Sequence, residues 1–288
     1  MIVSTLEDVK AYLPSYNFKS YVDAARFKDF LNRAQNWVTQ NILGEDIEEL
    51  LEIEIEEGHT DDHAILRTLT GRVISEMAYR TAIPEFDVQN TNAGFVVQNN
   101  SEMSPASQQR IDRLVSSMTE RIAMDCDALV EYLINNSSGG ETYEDWRGTY
   151  QFDYLTGAFI PFVSDFNKHT RCADAYVTDF EDFLNKIAAM GVALHGKVAN
   201  YISDAQVNTL LELYRDDEML AVHRKVIEDI KLSVVAEVSG KIKEATDFAI
   251  KARQFMLVNP NIFTVFINSD RKTLSALDFG DGSVANLL

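Results

Sequence analysis

The chain is short of cysteine, of basic residues and of long apolar runs, and each shortage removes a class of function. Its two cysteines, Cys126 and Cys172, lie 46 positions apart with no second pair. That argues against a disulfide framework and against a cysteine-rich zinc site, and it predicts a reducing compartment. No apolar stretch approaches the roughly 18–20 residues of a membrane span. The opening MIVSTLEDVK carries neither a basic n-region nor an apolar h-region, so no signal peptide is expected. Gly-x-Gly-x-x-Gly, Gly-x4-Gly-Lys-Ser/Thr and Gly-x-Ser-x-Gly are all missing. The usual signals of dinucleotide binding, phosphate loops and hydrolase elbows are therefore absent. With 26 Lys+Arg against 45 Asp+Glu, the net charge is −19. A chain that grips nucleic acid shows the opposite balance.

What is present is a chain of 288 residues, 46% hydrophobic and 25% charged. That is enough for one large or two modest domains with a real core. The acids are concentrated. Glu45, Asp46, Glu48, Glu49, Glu52, Glu54, Glu56, Glu57, Asp61 and Asp62 run without an intervening Lys or Arg. The plain reading is a solvated face, with Glu48, Glu49, Glu52 and Glu56 as its acidic surface. The sharper reading is a surface that DNA passes without sticking. The spacing does not follow a calcium-binding loop, which puts a cation site third.

Helical periodicity dominates. A capping box at Ser4-Thr5-Leu6-Glu7-Asp8 starts a helix over 5–13 that Pro14 ends. Residues 22–43 carry Phe27, Phe30, Leu31, Ala34, Trp37, Val38 and Ile42 at helical spacing, with Gly44 as the stop. A short acidic helix over 46–57 closes at Gly58. The stripe Ile65, Leu66, Leu69, Val73, Ile74, Met77 and Ala78 predicts a helix over 61–83, ended by Pro84. Residues 105–135 read as a long helix with Ser104 as N-cap and Pro105 at its first position. Residues 143–176 are aromatic and irregular; strands and turns are expected, but the pattern does not fix them. Further helices are expected over 179–201 and 204–215, then a long stretch from 216 to 258 that Gly240 bends.

Two passages break the helical pattern. Residues 86–98 alternate, pass a turn cluster (Asn90, Thr91, Asn92, Ala93, Gly94), and end on Phe95-Val96-Val97, which predicts a β-hairpin arm. A lone hairpin is marginal in water and must lie on something. The tail carries Ile262-Phe263-Thr264-Val265-Phe266-Ile267, a run rich in strand formers that predicts a C-terminal strand. It has two available partners, the hairpin or another subunit by strand addition. Phe95, Val96, Val97, Ile262, Phe263, Val265, Phe266 and Ile267 are thus the candidate oligomer or partner contacts. The fold class that results is mainly α. It is a helical bundle with long helices, an inserted hairpin arm and a C-terminal extension. The blocks run 1–85, 86–104, 105–258 with an irregular aromatic segment over 137–177, and 259–288. A boundary near 137–142 is the alternative division.

Candidate chemistry is thin. His59 and His63 stand four apart beside Asp61 and Asp62, but Gly58 breaks the helix there and no third ligand is specified. They read as surface histidines. His195 reads as a satisfied structural histidine on a packed helix. His169, in Asn-Lys-His-Thr-Arg, reads as part of a basic island facing a partner. Cys126 lies between acids that raise a thiol pKa. The Tyr143-Glu144-Asp145-Trp146 cluster is the kind seen in sugar sites and equally in packed loops. No catalytic, cofactor or metal residues are assigned, and a non-enzyme is expected.

The opening Ile2-Val3-Ser4-Thr5-Leu6-Glu7-Asp8-Val9-Lys10-Ala11-Tyr12-Leu13 resembles the start of tailed-phage head–tail connector, or adaptor, proteins. Asn41-Ile42-Leu43-Gly44-Glu45, Ala93-Gly94-Phe95-Val96-Val97-Gln98-Asn99 and Ser104-Pro105-Ala106-Ser107 add to it. So, faintly, do Ile160-Pro161 and Asp165-Phe166-Asn167. Together they resemble an uncharacterised family of Bacteroidetes phages and prophages, usually found among virion structural genes. The similarity runs over about 1–135. It implies a neck component of the virion, assembled in the bacterial host cytoplasm. A dodecameric homo-oligomeric ring below the portal protein would contact other neck or tail proteins, with DNA passing through and no membrane involved. The alternatives are a stopper or tail-completion protein, a monomeric helical binding module, and an enzyme of unrecognised type.

Overall fold

The computed structural model describes residues 1–14, 24–58, 63–91, 94–97, 108–136 and 145–272. The chain folds as two compact units. The first comprises Met1–Asp153 with Phe162–Ser164 and Thr178–Asp182; the second comprises Tyr154–Pro161, Asp165–Val177 and the residues from Phe183 onward. Among the described residues the architecture is mainly helical. The division falls at residue 153 and so splits the stretch 105–258 between the units.

The first unit is a helical bundle. It contains α1 (Leu6–Tyr12), α2 (Ala24–Val38), α3 (Glu45–Glu57), α4 (Ala64–Asp87), α5 (Gln108–Asn136) and most of α6 (Tyr150–Thr156). The capping box at α1 forms as expected, with Thr5 Oγ1 accepting from the Asp8 N–H and the Asp8 carboxylate accepting from the Thr5 N–H. The stripe on α2 buries Phe27, Phe30, Leu31, Ala34 and Val38. The helix ends in a π-helical turn, Thr39–Leu43, stopped by Gly44 at φ +79°. A Cβ at Gly44 would lie 3.3 Å from Thr149 Cγ2, so the position is favourable only to glycine on both counts. Along α5 the buried side chains include Met118, Ile122, Cys126, Leu129, Val130 and Leu133. The Trp146 ring is fully buried, and its indole N–H donates to the Ile42 carbonyl at 2.8 Å. α1 lies on α4 with the Tyr12 ring where a side chain at residue 71 would stand, which is why Gly71 is tolerated mid-helix.

Pro84 does not end α4, which continues to Asp87. A proline forfeits one backbone hydrogen bond, and its φ is already helical, so near a C-terminus the last turn survives it. β1 (Val88–Thr91) then pairs antiparallel with β2 (Gly94–Val97), Val88 opposite Val97 and Thr91 opposite Gly94. The expected N-cap and first turn of α5, at 104–107, lie outside the described residues.

The second unit holds most of α7 (Val163–His169) and α8 (Phe180–Ala193), then α9 (Ala199–Ile202), α10 (Asp204–Arg215), α11 (Ala221–Val238), α12 (Ile242–Leu257) and α13 (Thr264–Ile267). A π-helical turn, Leu194–Val198, joins α8 to α9. The stretch 216–258 is two helices, α11 and α12, broken at Gly240 with φ +74°. Ala245, Ala249 and Ala252 are buried at helical spacing on α12, so the two backbones approach closely. The Ser233 hydroxyl uses that closeness to donate to the Ala245 carbonyl at 2.7 Å.

Two expectations are corrected here. The aromatic segment is helical rather than stranded where it is described, in α6 and α7. Tertiary burial of Phe152, Leu155, Phe166 and the residues around them outweighs their β-propensity. The run Ile262–Ile267 is not a strand. It forms the single turn α13, because Phe263 and Phe266 fill the unit's own core. The Phe263 ring meets the His223 ring at 5.6 Å between centroids. The Phe266 N–H donates to Gln206 Oε1 at 3.0 Å, in place of a ladder partner.

Candidate functional site

The acidic helix α3 has two faces with different uses. Glu49 and Glu56 are exposed, together with Glu45, Asp46 and Glu57. Glu48 and Glu52 are half-buried and both accept from Gln35 Nε2; Glu52 also ion-pairs the Met1 amino group at 2.8 Å. Glu54 is buried and faces His63 and Arg67. Of the four predicted surface acids, Glu49 and Glu56 stand open to solvent while Glu48 and Glu52 serve the bundle. His59, Asp61 and Asp62 lie outside the described residues, as do Tyr143 and Glu144.

The predicted contact residues also separate. Phe95, Val96 and Val97 lie on β2, opposite Asn90, Gln89 and Val88. In the tail, Ile262 is exposed, Val265 and Ile267 are half-buried, and Phe263 and Phe266 are 1% and 0% exposed. Those two phenylalanines are core residues, so the tail run is withdrawn as a docking strand.

Two buried ionic clusters carry the unusual electrostatics. In the first unit, α4 brings Glu76 and Arg72 to Asp125 and Arg121 of α5. Arg72 Nη1 lies 3.3 Å from Asp125 Oδ1, whereas Arg121 Nε lies 4.0 Å from Glu76 Oε1. Glu76 Oε2 is buried without a hydrogen-bond partner among the described residues. Burial first, and then the Asp125 charge, push the Glu76 carboxyl up to about 7, with Arg72 opposing them. Burial also raises Asp125, against Arg72 and Arg121.

In the second unit, His169 is 3% exposed rather than on an outward basic island. Its Nδ1 lies 2.7 Å from the Asp165 carbonyl oxygen and 3.3 Å from Asp165 Oδ1, and its Nε2 lies 3.1 Å from Glu228 Oε1. Lys231 Nζ meets Asp165 Oδ2 at 2.6 Å. Burial pushes the imidazole pKa down, but the Asp165 carboxylate and carbonyl, with Glu228, outweigh it and hold His169 above its usual value. Burial likewise pushes Asp165 up, and His169 and Lys231 outweigh that and hold it low. A cleft beside His169, lined in part by Arg171, Cys172, Ser239 and Lys241, has room for about one water molecule. The ring is anchored through Nδ1, and its Nε2 is buried with only the Glu228 carboxylate near it.

The remaining singled-out groups are inert or structural. Cys126 is fully buried, and burial followed by Asp127, Asp125 and Asp179 raises its thiol pKa far above normal. His195 is more exposed than expected and contacts Asp204 Oδ1 at 2.7 Å. No group of three potential metal ligands occurs among the described residues. None of the helices there is long and apolar enough to cross a membrane.

Sequence reasoning missed Glu76 and the partners of His169. The signals were present: a Glu inside the apolar stripe Val73–Ala78, the Asp165/His169 pair one helical turn apart, and Glu228/Lys231 on one face of α11.

The profile of DUF6712, a family of unknown function, matches residues 25–155. Neither the curated proteins nor the solved structures contain a match to the chain.

Proposed function

We propose that this chain is a structural virion protein, a head–tail connector whose copies form a ring under the portal and let DNA pass toward the tail. The observation that carries the reading is the resemblance of residues 2–13 to the start of connector proteins, and of about 1–135 to an uncharacterised phage and prophage family of virion structural genes, in a segment that folds as a helical bundle with strands set between its two longest helices. The physical features are consistent with it. Glu49 and Glu56, with Glu45, Asp46 and Glu57, place carboxylates on the exposed side of α3. Over a net charge of −19, such a face repels the DNA backbone and permits sliding without specific binding. The β1–β2 ladder is the hairpin arm of the proposal. Phe95, Val96 and Val97 are its contacts with a neighbouring copy or the portal, closing a heterologous ring of twelve. The protein has no catalytic task in this role, needs no cofactor, and resides in the virion neck after assembly in the host cytoplasm. A stopper or tail-completion role uses the same surfaces.

A second reading is favoured by Tyr150 and Tyr176, which are 70% and 56% exposed. Exposed tyrosines are efficient anchors at interfaces, and they fit a monomeric helical module that binds a host or virion partner. Native mass spectrometry at high concentration and low salt separates the two readings. A discrete assembly near twelve copies of the 32.5 kDa chain is expected for the connector. A clean monomer excludes spontaneous ring closure and favours the binding module.

A further inference from the structure

The hydrogen-bond arithmetic at His169 leads beyond an assembly role. A neutral imidazole has one N–H and one lone pair. Nδ1 faces the Asp165 carbonyl oxygen at 2.7 Å, and a carbonyl only accepts, so Nδ1 carries a proton. Nε2 then lies 3.1 Å from a carboxylate oxygen of Glu228, within ion-pair reach but without hydrogen-bond geometry, so the contact is one of charge. With a lone pair on Nε2 that contact is repulsive, whereas with a second proton it is an ion pair. The surroundings match the charged form. Asp165 and Glu228 supply two negative charges, and Lys231, which also lies over the Tyr214 ring, supplies one positive charge. A positive imidazole balances the set. Arg171, Lys241 and Glu244, from the neighbouring segments, line the adjoining cleft, as does the Cys172 thiol.

We propose that His169 is a proton-dependent clasp of the second unit. As an imidazolium it ties α7 and the following segment, Thr170–Val177, to α11. When the proton leaves to solvent, the Glu228 contact becomes repulsive, the tie is lost, and the segment loosens. The sign follows from the direction of the shift. The folded pKa lies above the ordinary 6.5, so the contribution is complete below pH 6.5 and is lost as pH rises through the folded value. The release point therefore lies above pH 6.5, in a unit where the buried acid beside it, Asp165, is held low.

The first test is an NMR titration of the His169 ring in the full chain. An apparent pKa above 6.5 is expected, and a value at or below 6.5 overturns the proposal. The second is amide hydrogen exchange over 165–177, corrected for intrinsic rates, at pH 6 and pH 8.5. A several-fold loss of protection is expected at the higher pH. Unchanged protection with a titrating ring overturns the switch and leaves a charged structural histidine. In Glu228→Gln the His169 pKa is expected to fall toward 6.5, and the pH dependence of exchange to shrink. Glu228 is 45% exposed, so this variant tests the clasp even if His169→Gln does not fold.

Discussion

The two buried ionic clusters have the same formal make-up and opposite behaviour. Each contains two acids and two bases within one unit. Around Glu76 the closest contact, 3.3 Å, joins Arg72 to Asp125, and the second guanidinium stays 4.0 Å from the Glu76 carboxylate. Around Asp165, Lys231 comes to 2.6 Å and His169 adds a second contact. Glu76 is consequently raised to about 7, and Asp165 is lowered. What decides the sign is whether each carboxylate oxygen has a donor in contact, not how many opposite charges are near, because desolvation is repaid only at hydrogen-bond distance.

The strongest way to break this comparison is Lys231→Met, which keeps the aliphatic stem and removes the cation from Asp165. A buried pair stripped of one partner loses about 3–5 kcal/mol, and unfolding of the second unit at pH 7 is expected to weaken by that much. A loss below about 1 kcal/mol would show that His169 alone satisfies Asp165. The complementary variant, Glu76→Gln, is expected to stabilise the first unit. The unfolded carboxyl titrates near 4.5 and the folded one near 7, so stability falls as pH rises between those values. Gln removes that dependence. At pH 8 the gain is on the order of 1–3 kcal/mol and it vanishes by pH 4. Tryptophan fluorescence reads it selectively, because both tryptophans, Trp37 and Trp146, belong to the first unit.

The same contrast explains how much was legible in the sequence. Helices with a clean apolar stripe and a marked end were readable: α2 with Gly44, the acidic α3 with Gly58, and the capping box of α1. Those signals are local. The tail was misread because Phe, Val and Ile favour strands only in the absence of a core to enter, and Gln206 and His223, some 40 to 60 positions away, supply that core contact. The aromatic segment, whose pattern fixed no elements, was illegible for the same reason. At the candidate sites, the acidic composition of α3 was plain, but its division into exposed and bundle-serving acids depends on Gln35. His169 stood out as a residue type and was assigned to the wrong environment, since its burial is set by α11, about sixty positions later.

Neutral contacts calibrate the charged ones. Ser233→Ala removes a buried hydroxyl that donates to the Ala245 carbonyl. It is expected to cost about 1–2 kcal/mol, with no dependence on pH between 5 and 9. A pH-dependent loss would mean that the α11–α12 corner is coupled to the His169 cluster, and the two would then need to be treated as one cooperative set.

The smallest effect belongs to an acid with full hydrogen bonding and little burial. Asp8 accepts from the N–H groups of Ser4 and Thr5 at 3.0 and 2.8 Å. Burial is the largest single influence and pushes its pKa up, but the hydrogen bonds from Ser4 and Thr5 together outweigh it, so the carboxyl sits below 3.8. Its contribution is present above pH 3.8 and is lost as pH falls through the folded value, the reverse of Glu76. Asp8→Asn retains an acceptor oxygen and gives up only the charge, which solvent already screens. The expected cost is therefore about 0.5–1 kcal/mol at pH 7 and less at pH 3. The measurement is helix-resolved hydrogen exchange over residues 5–13 at both pH values. If the loss were as large at pH 3 as at pH 7, the geometry of the capping box, rather than the charge on Asp8, would be holding α1 in place.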